Sequence, residues 1–349
     1  MGFWSGKRVL VTGHTGFKGS WLCELLLSRG SEVYGLALAP DGDQSLFVQL
    51  GLAQRIDHQI GDILEPGLAM QRIEAVRPDI VLHLAAQSLV RRSYREPVLT
   101  WATNVMGTAH VLDAIRNLQA PCIVVVITTD KVYENLEWEH PYRETDALGG
   151  HDPYSASKAG TELVSSSYRT SFFSGSGVRL ATARAGNVIG GGDWAEDRIL
   201  PDLARSFKAG SALEVRNPAA VRPWQHVLDP LAGYLRLAEA LDGPEGRRFE
   251  RGFNFGPEPS DHRRVGEVVE AARAHWPGEW KDVSDPAAPH EAGQLMLSVE
   301  RARSQLGWRP HWNFERAISE TIGWYRGVSE GKSPLALTQA QIAAHEAGR

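Results

Sequence analysis

The stretch Lys7-Arg-Val-Leu-Val-Thr-Gly-His-Thr-Gly-Phe-Lys-Gly-Ser-Trp-Leu-Cys-Glu-Leu-Leu-Leu-Ser-Arg29 decides how this chain folds. Its opening, Lys7 to Thr12, is an apolar run rich in valine and leucine and reads as a buried first strand. From Ser20 to Arg29, Trp21, Leu22, Leu25 and Leu26 recur at helical spacing, and Gly30 follows as a C-cap. Between the two lies Gly13-His-Thr-Gly16-Phe-Lys-Gly19, a GxxGxxG spacing. A strand, a glycine turn and a helix in that order let the backbone approach a pyrophosphate. The free N–H groups at the helix start favour its charge. Glycine spacing alone is weak, because the chain has 35 glycines; its position between strand and helix is what points to a dinucleotide.

Working outward, Glu32 to Leu38, Asp79 to Ala85 and Pro121 to Thr128 read as further strands, with helices near residues 66–76 and 104–118 between them. Cys122 to Ile127 shows no polar alternation, which suits a strand covered on both faces. The alternation predicts an α/β fold, a Rossmann-like doubly wound parallel sheet. Past about residue 190 the regularity stops, and Gly190-Gly-Gly-Asp-Trp194, prolines and tryptophans take over. The expected division is a cofactor-binding domain with the catalytic residues over 1–186 and a smaller C-terminal α/β substrate domain over 187–349, with some chain exchanged. The polar stretch Lys332 to Arg349 reads as a loosely held tail.

Composition narrows the classes. With 42% hydrophobic and 23% charged residues over 349 positions, the balance is that of a packed globular protein. The 37 basic and 42 acidic residues leave a net charge of -5, so no broad basic field exists for nucleic acid or an anionic membrane. Any phosphate must be met by a few placed groups. Cys23 and Cys122 make no disulfide framework and have no metal-ligand spacing around them, so neither a metal nor an oxidising compartment is expected. The start lacks a signal-peptide core and no apolar run nears the ~20 residues of a membrane span, so a cytoplasmic protein is expected.

Two further motifs carry chemistry. Asp152 can cap a helix with Pro153 at its first position, which puts Tyr154 and Lys158 of Tyr154-Ser-Ala-Ser-Lys158 on one helix face. A nearby ammonium stabilises phenolate and would draw the tyrosine pKa down from about 10, toward use as a general base. A surface Tyr/Lys pair is the plain alternative. The other motif, Thr128-Thr-Asp-Lys-Val-Tyr133, stands at the carboxyl end of a strand, where open α/β sheets bind ligands; read alone it is equally a turn with an Asp–Lys surface pair. Gly35-Leu-Ala-Leu38 lacks the acid that usually grips the cofactor ribose, and no arginine there favours a 2′-phosphate, so ribose recognition does not separate NAD from NADP.

On these residues the sequence resembles the extended short-chain dehydrogenase/reductase family, with TGxxGxxG and YxxxK. Gly61-Asp62-Ile63, Leu84-Ala-Ala86, Thr103-Asn104, Gly107-Thr108, Leu306-Gly-Trp308 and Thr321-Ile-Gly-Trp-Tyr325 extend the likeness over nearly the whole chain. Within it, Arg184-Ala-Gly-Asn-Val-Ile-Gly-Gly-Gly-Asp-Trp194 and Arg222-Pro-Trp-Gln-His226 resemble the nucleotide-sugar 4,6-dehydratases. Lys131, where relatives acting on dTDP-glucose carry glutamate, resembles the branch acting on CDP-glucose. The resemblance implies NAD bound by Gly13, Gly16, Phe17, Lys18, Gly19, Asp62, Ile63, Leu84, Ala85, Ala86, Thr103, Thr128, Tyr154 and Lys158. It implies a nucleotide-sugar substrate met by Ser88, Thr129, Asn187, Arg198 and Arg222. Tyr154 with Lys158 would oxidise C4, Asp130 would protonate the leaving 6-hydroxyl, and Thr129 would hold the 4-oxygen. Lys131 has several open roles: base, enolate stabiliser, water orienter or a neighbour that tunes Asp130. His290 and Glu291 are expected near the substrate, though a turn with a satisfied histidine explains them equally, and Trp194 and Trp224 are expected as pocket walls, though tryptophans are more often core. A homodimer through the helices around 104–118 and 154–172 is also implied, as are 3,6-dideoxyhexose formation and polysaccharide synthesis. The alternatives are a dehydratase or epimerase for a dTDP-, GDP- or UDP-linked sugar, and a non-catalytic dinucleotide-binding protein.

Overall fold

The computed structural model describes residues 2–284 and 295–348. In chain order the first elements are β1 (Arg8–Thr12), α1 (Phe17–Ser28), β2 (Glu32–Ala37), α2 (Leu46–Gln49), β3 (Asp57–Ile60), α3 (Leu68–Val76) and β4 (Ile80–His83). There follow α4 (Val90–Arg95), α5 (Pro97–Trp101), α6 (Gly107–Asn117), β5 (Cys122–Ile127), α7 (Pro153–Ser171), β6 (Val178–Ala185) and β7 (Val188–Ile189). The remainder comprises α8 (Ile199–Lys208), β8 (Leu213–Val215), β9 (Val221–Pro223), β10 (Gln225–His226), α9 (Leu228–Asp242), β11 (Gly252–Phe255), β12 (His262–Arg264), α10 (Val265–Arg273), β13 (Trp280–Asp282), α11 (Phe314–Ser329) and α12 (Pro334–Ala347).

Seven strands form one parallel sheet in the order β11-β6-β5-β4-β1-β2-β3. Its two faces are covered because its central strands are apolar on both sides. Cys122, Val124 and Val126 of β5 enter the core under α3, α6 and α7, whereas Ile123, Val125 and Ile127 enter the core under α1 and α9. Chain order reverses between β1 and β4, and the carboxyl ends of the strands open there, at the switch point of a doubly wound sheet. The seventh strand, β11, comes from beyond residue 187. A separate core of Leu200, Leu203, Phe207, Val268, Phe314 and Ile318 joins α8, α10 and α11 beside the sheet.

Two local features bear on the site. Between α5 and α6, Ala102–Met106 forms a π turn, with the Gly107 amide donating to the Ala102 carbonyl. The Asn104 carbonyl then accepts the Thr108 and Thr161 hydroxyls, and the Asn104 side chain ties Gln87 to Ser157 of α7. The second feature corrects the tail reading of Lys332 to Arg349. Helix α12, capped by Ser333, docks on the molecule by Trp324 Nε1 donating to Thr338, by Gln341 to the Glu320 carbonyl, and by His345 against Asp229 at 3.0 Å. Gln339 and Glu346 bond to Glu24 of α1 and to Arg29, which caps the end of α1. Ile342 is also buried in the main core, with Leu335 and Leu337 packed against that core, so the helix is held by polar and apolar contacts together.

Candidate active site

The carboxyl ends of the strands open into a cleft of about 1670 Å³, bordered by every residue expected to meet cofactor or substrate except His290 and Glu291, which lie outside the described residues. The glycine loop shows why each glycine is there. Gly13 has a φ of 75°, and a Cβ on it would stand 2.7 Å from the Ala85 nitrogen; one on Gly19 would stand 2.2 Å from the Gly13 carbonyl oxygen. These two let the loop pack on itself and on Leu84-Ala85-Ala86. Gly16, the N-cap of α1, is exposed and open toward the cleft. A cradle of this form, with free amides at a helix start, fits a pyrophosphate. Asp62, Ile63 and Thr103 border the same side.

Past β2, the missing acid has a structural counterpart. His14 is fully buried, packs on Phe47 and His58, and occupies the space in which a Gly35 Cβ would stand 2.6 Å from its ring. Burial lowers its pKa to about 4, so the ring is neutral. Asp41, Gln44 and Ser45 border the cleft just beyond, where no spacing rule had pointed.

At the end of β5, Thr129 caps a short turn and donates to the Asp130 carboxylate at 2.9 Å. Asp130 is 3% exposed, and it stands where a Cβ on Gly186 would be 2.5 Å from Oδ2. Only glycine at 186 leaves the carboxylate that room. Lys131 is half-buried at the cleft wall. Thr128 borders the cleft too, but its hydroxyl is committed to Glu162.

Helix α7 begins as its sequence predicts, with the Asp152 carboxylate accepting from the Ser155 amide and Pro153 in the first turn. Tyr154 is thereby set over the end of β5. Its electrostatics differ from expectation. Burial pushes the phenol up to about 12, with Asp130 adding to this, while a hydrogen bond to Thr129 and the Arg198 charge pull it down. Lys158 donates instead to the Ile127 carbonyl at 3.0 Å, and burial and Lys18 lower its pKa to about 8. Desolvation outweighs the ammonium in setting the resting phenol. Lys18, at the other wall, is lowered to about 8 by burial and Arg198.

Across the cleft stand Asn187, Arg198 and Arg222. Arg222 donates to the Val221 carbonyl, and Arg198 pairs with Asp193 at 3.5 Å. Trp194 meets Tyr325 edge-on beside the cleft, whereas Trp224 is mainly core, its Nε1 donating to the Arg263 carbonyl. Ser88 lies below α4, whose Arg91, Arg92 and Arg95 also border the opening. Asp197, at a φ of 63°, spans from Arg91 at 3.7 Å to Arg216 at 2.5 Å. The run Arg91-Arg-Ser-Tyr-Arg95 was visible as a charge cluster in an acidic chain; Arg216 and Asp197 carried no such sign.

Gly190, Gly191 and Gly192 do not simply face a ligand. Trp21 Nε1 donates to the Gly191 carbonyl at 2.9 Å, and Cβ atoms at 190, 191 and 192 would meet Val227, Trp324 and Leu46 at 2.8, 2.1 and 2.6 Å. Gly191→Ala is expected to destabilise the protein by about 1–3 kcal/mol, because the Trp324 ring is fully enclosed and cannot yield. A denaturant melt checks this, and an unchanged midpoint contradicts it.

The sequence matches the family described as GDP-mannose 4,6 dehydratase over residues 10–321. It is 44% identical to a CDP-glucose 4,6-dehydratase of Salmonella typhimurium, over 97% of this chain and 96% of that one. A dTDP-glucose 4,6-dehydratase of Streptomyces antibioticus is 30% identical over 98% and 99%. Among solved structures, the Streptomyces venezuelae dTDP-glucose 4,6-dehydratase with NAD bound superposes with a TM-score of 0.79 at 26% identity, covering 94% of this chain and 99% of that one. The Thermus thermophilus UDP-glucose 4-epimerase with NAD gives 0.79 at 27%, covering 92% and 99%. With that breadth of match laid over the glycine cradle and the Tyr154–Lys158 helix, the chain belongs to the GDP-mannose 4,6-dehydratase family, within the extended short-chain dehydrogenases/reductases.

Proposed function

We propose that the protein is an NAD-dependent nucleotide-sugar 4,6-dehydratase that converts CDP-glucose to CDP-4-keto-6-deoxyglucose. The observation that carries the reading is the convergence at the end of β5 of the Tyr154 phenol, the Thr129 hydroxyl and the Asp130 carboxylate, opposite the α1 cradle. The 44% identity to a CDP-glucose 4,6-dehydratase supports the choice of nucleotide.

NAD⁺, when bound, supplies the acceptor that takes hydride from C4 and returns it to C6. The chain's own residues move the protons. Tyr154 takes the proton of the sugar 4-hydroxyl as C4 becomes a ketone, and Thr129 holds that oxygen. The ketone acidifies the C5 proton, which passes to a water oriented by Lys131 and comes back to C5 from it in the last step. Asp130 gives a proton to the departing 6-hydroxyl, so water leaves across C5 and C6. Lys131 places a cation where the enolate charge develops. Hydride then reaches C6 and a proton C5, so the net change is loss of one water. Arg222, Arg198 and Asn187 meet the substrate diphosphate, the arginines by bidentate bonds. In this reading cofactor binding falls mainly to 1–186 and substrate binding mainly to 187–349. The product has the oxidation pattern from which a reductive step at C3 would lead to 3,6-dideoxyhexoses for surface polysaccharide.

Purified protein with NAD⁺ and a panel of CDP-, dTDP-, UDP- and GDP-glucose tests the reading. The expected result is a 4-keto-6-deoxy product from CDP-glucose without lasting NADH; preference for another nucleotide, or steady NADH accumulation, overturns it.

A homodimer is also proposed. Val98, Trp101, Met106 and Leu163 are exposed on α5, the π turn and α7, which pack against one another, and Phe172 just past the end of α7 is exposed too. Leu163→Glu is expected to turn a dimer into a monomer by light scattering. A variant that stays dimeric rejects this face, and a monomeric wild type rejects the dimer. Among the described residues no helix is long and apolar enough to cross a membrane, and no group of side chains is arranged to hold a metal.

A further inference from the structure

Glu162 lies one turn beyond Lys158 and two beyond Tyr154 on α7, and it is buried. A carboxylate so placed is costly unless its oxygens are fully met. Four side-chain hydrogen bonds meet them. Oε1 accepts from the Thr128 hydroxyl at 2.6 Å and Arg184 Nε at 2.9 Å; Oε2 accepts from the Thr182 hydroxyl at 2.7 Å and Arg184 Nη2 at 2.9 Å. Arg184 also donates to the Tyr133 hydroxyl, which donates to Asn254 on β11. Burial alone would raise the Glu162 pKa, but Arg184 and the two hydroxyls hold it below the usual carboxylate value. Glu162, Arg184 and Thr182 do not border the cleft, so no ligand explains this investment in buried charge.

Their neighbours in sequence do border it. Thr128 immediately precedes Thr129 and Asp130, and Arg184 stands two residues before Gly186, the glycine that makes room for Asp130. The network therefore joins the two strand ends that place the acid to the helix that carries the phenol. We propose, resting on the dehydratase reading above, that Glu162 is a positioning residue: its bonds to Thr128, Thr182 and Arg184 set where Tyr154 and Lys158 stand relative to Thr129 and Asp130.

A second effect accompanies the geometry. Lys158 is faced by Lys18 from α1, His83 from β4, the Ile127 carbonyl from β5, and Tyr154 and Glu162 on its own helix. Glu162 is faced in turn by Arg184 from β6 and Arg169 of α7. His83 is neutral, its pKa lowered to about 3 by burial. Burial and Lys18 lower Lys158, and Glu162 raises it. Without the Glu162 charge, Lys158 loses its proton at lower pH.

The test uses Glu162→Gln, the double variant Glu162→Gln/Arg184→Gln, and Thr182→Val. The single glutamine variant leaves Arg184 buried and unpaired, and the double variant removes that cost. Both glutamine variants are expected to lose about 100-fold in kcat, the scale of a misplacement near 1 Å, with KM little changed. Their basic limb of activity moves to lower pH, and Thr182→Val shows a smaller loss in kcat at unchanged KM. A double variant with wild-type stability, kcat and pH profile overturns the proposal and leaves the pair a purely structural role. If neither glutamine variant folds, Thr182→Val decides, and wild-type kcat in it overturns the proposal. An inactive wild type refutes the dehydratase reading instead. In that case a crystal structure of Thr182→Val decides, with Tyr154 displaced from Thr129 expected and unmoved Tyr154 overturning the proposal.

Discussion

Tyr154→Phe is expected to cut turnover by about 10³–10⁴-fold, at the upper end of what a positioned acid–base group contributes, with the fold and its melting temperature retained. The phenol is the group that takes the proton of the sugar 4-hydroxyl, and no neighbour can replace it: Lys158 is turned to the Ile127 carbonyl, and an aliphatic hydroxyl such as that of Thr129 is too weak an acid to hold the charge. The resting phenol, raised to about 12 by burial, is protonated at neutral pH. It acts as a base only once its own proton has passed to solvent, which the positive charge of NAD⁺, when bound, would favour, and this makes the first oxidation the step most exposed to its loss. Mixing the variant with NAD⁺ and CDP-glucose should therefore show no transient NADH absorbance in a single turnover. A transient of wild-type size would remove Tyr154 from the mechanism.

Asp130→Asn separates the two halves of the reaction. The oxidation at C4 does not use this carboxyl, so NADH should form, but the 6-hydroxyl then lacks its acid and dehydration slows by about 10²–10⁴-fold. The enzyme would accumulate as a reduced form that the wild type passes through unseen. Asparagine keeps the shape that Gly186 accommodates and can still accept the Thr129 bond, so misfolding is not the expected cause of any loss. Product formation at the wild-type rate would refute the acid role, and absence of NADH would show that Asp130 acts before the elimination.

The parts of this molecule legible in sequence were those in which local pattern and tertiary role coincide. The β1–α1 turn announces itself because the residues that form it are adjacent, and the start of α7 because Asp152 and Pro153 satisfy the helix end on their own. Strand β5 was legible because both its faces are apolar. What escaped reading depends on contacts between distant positions. Glu162 and Arg184 are ordinary surface residue types until the fold brings them together, and Gly191 looks like a ligand-facing glycine until Trp21 and Trp324 are seen around it. Helix α12 was misread because its apolar contacts, Ile342 with Leu335 and Leu337, are interspersed with Thr338, Gln341 and His345, buried residues that a polarity scale assigns to solvent. The Tyr154 phenol was misjudged for a related reason: spacing shows a charge nearby, but not how deeply the ring is buried.

The π turn at Ala102–Met106 has a bearing beyond the site. One extra residue in a helix of 3.6 per turn rotates all that follows by about 100°. The segment on one side of it, with Val98 and Trp101, can thus show its apolar side outward, while the segment on the other buries Val111, Leu112 and Ile115. A single continuous rod in regular phase could not serve both directions. A one-residue deletion there would act like a misthreaded screw: every side chain downstream would be offered to the wrong neighbour, although none had been changed.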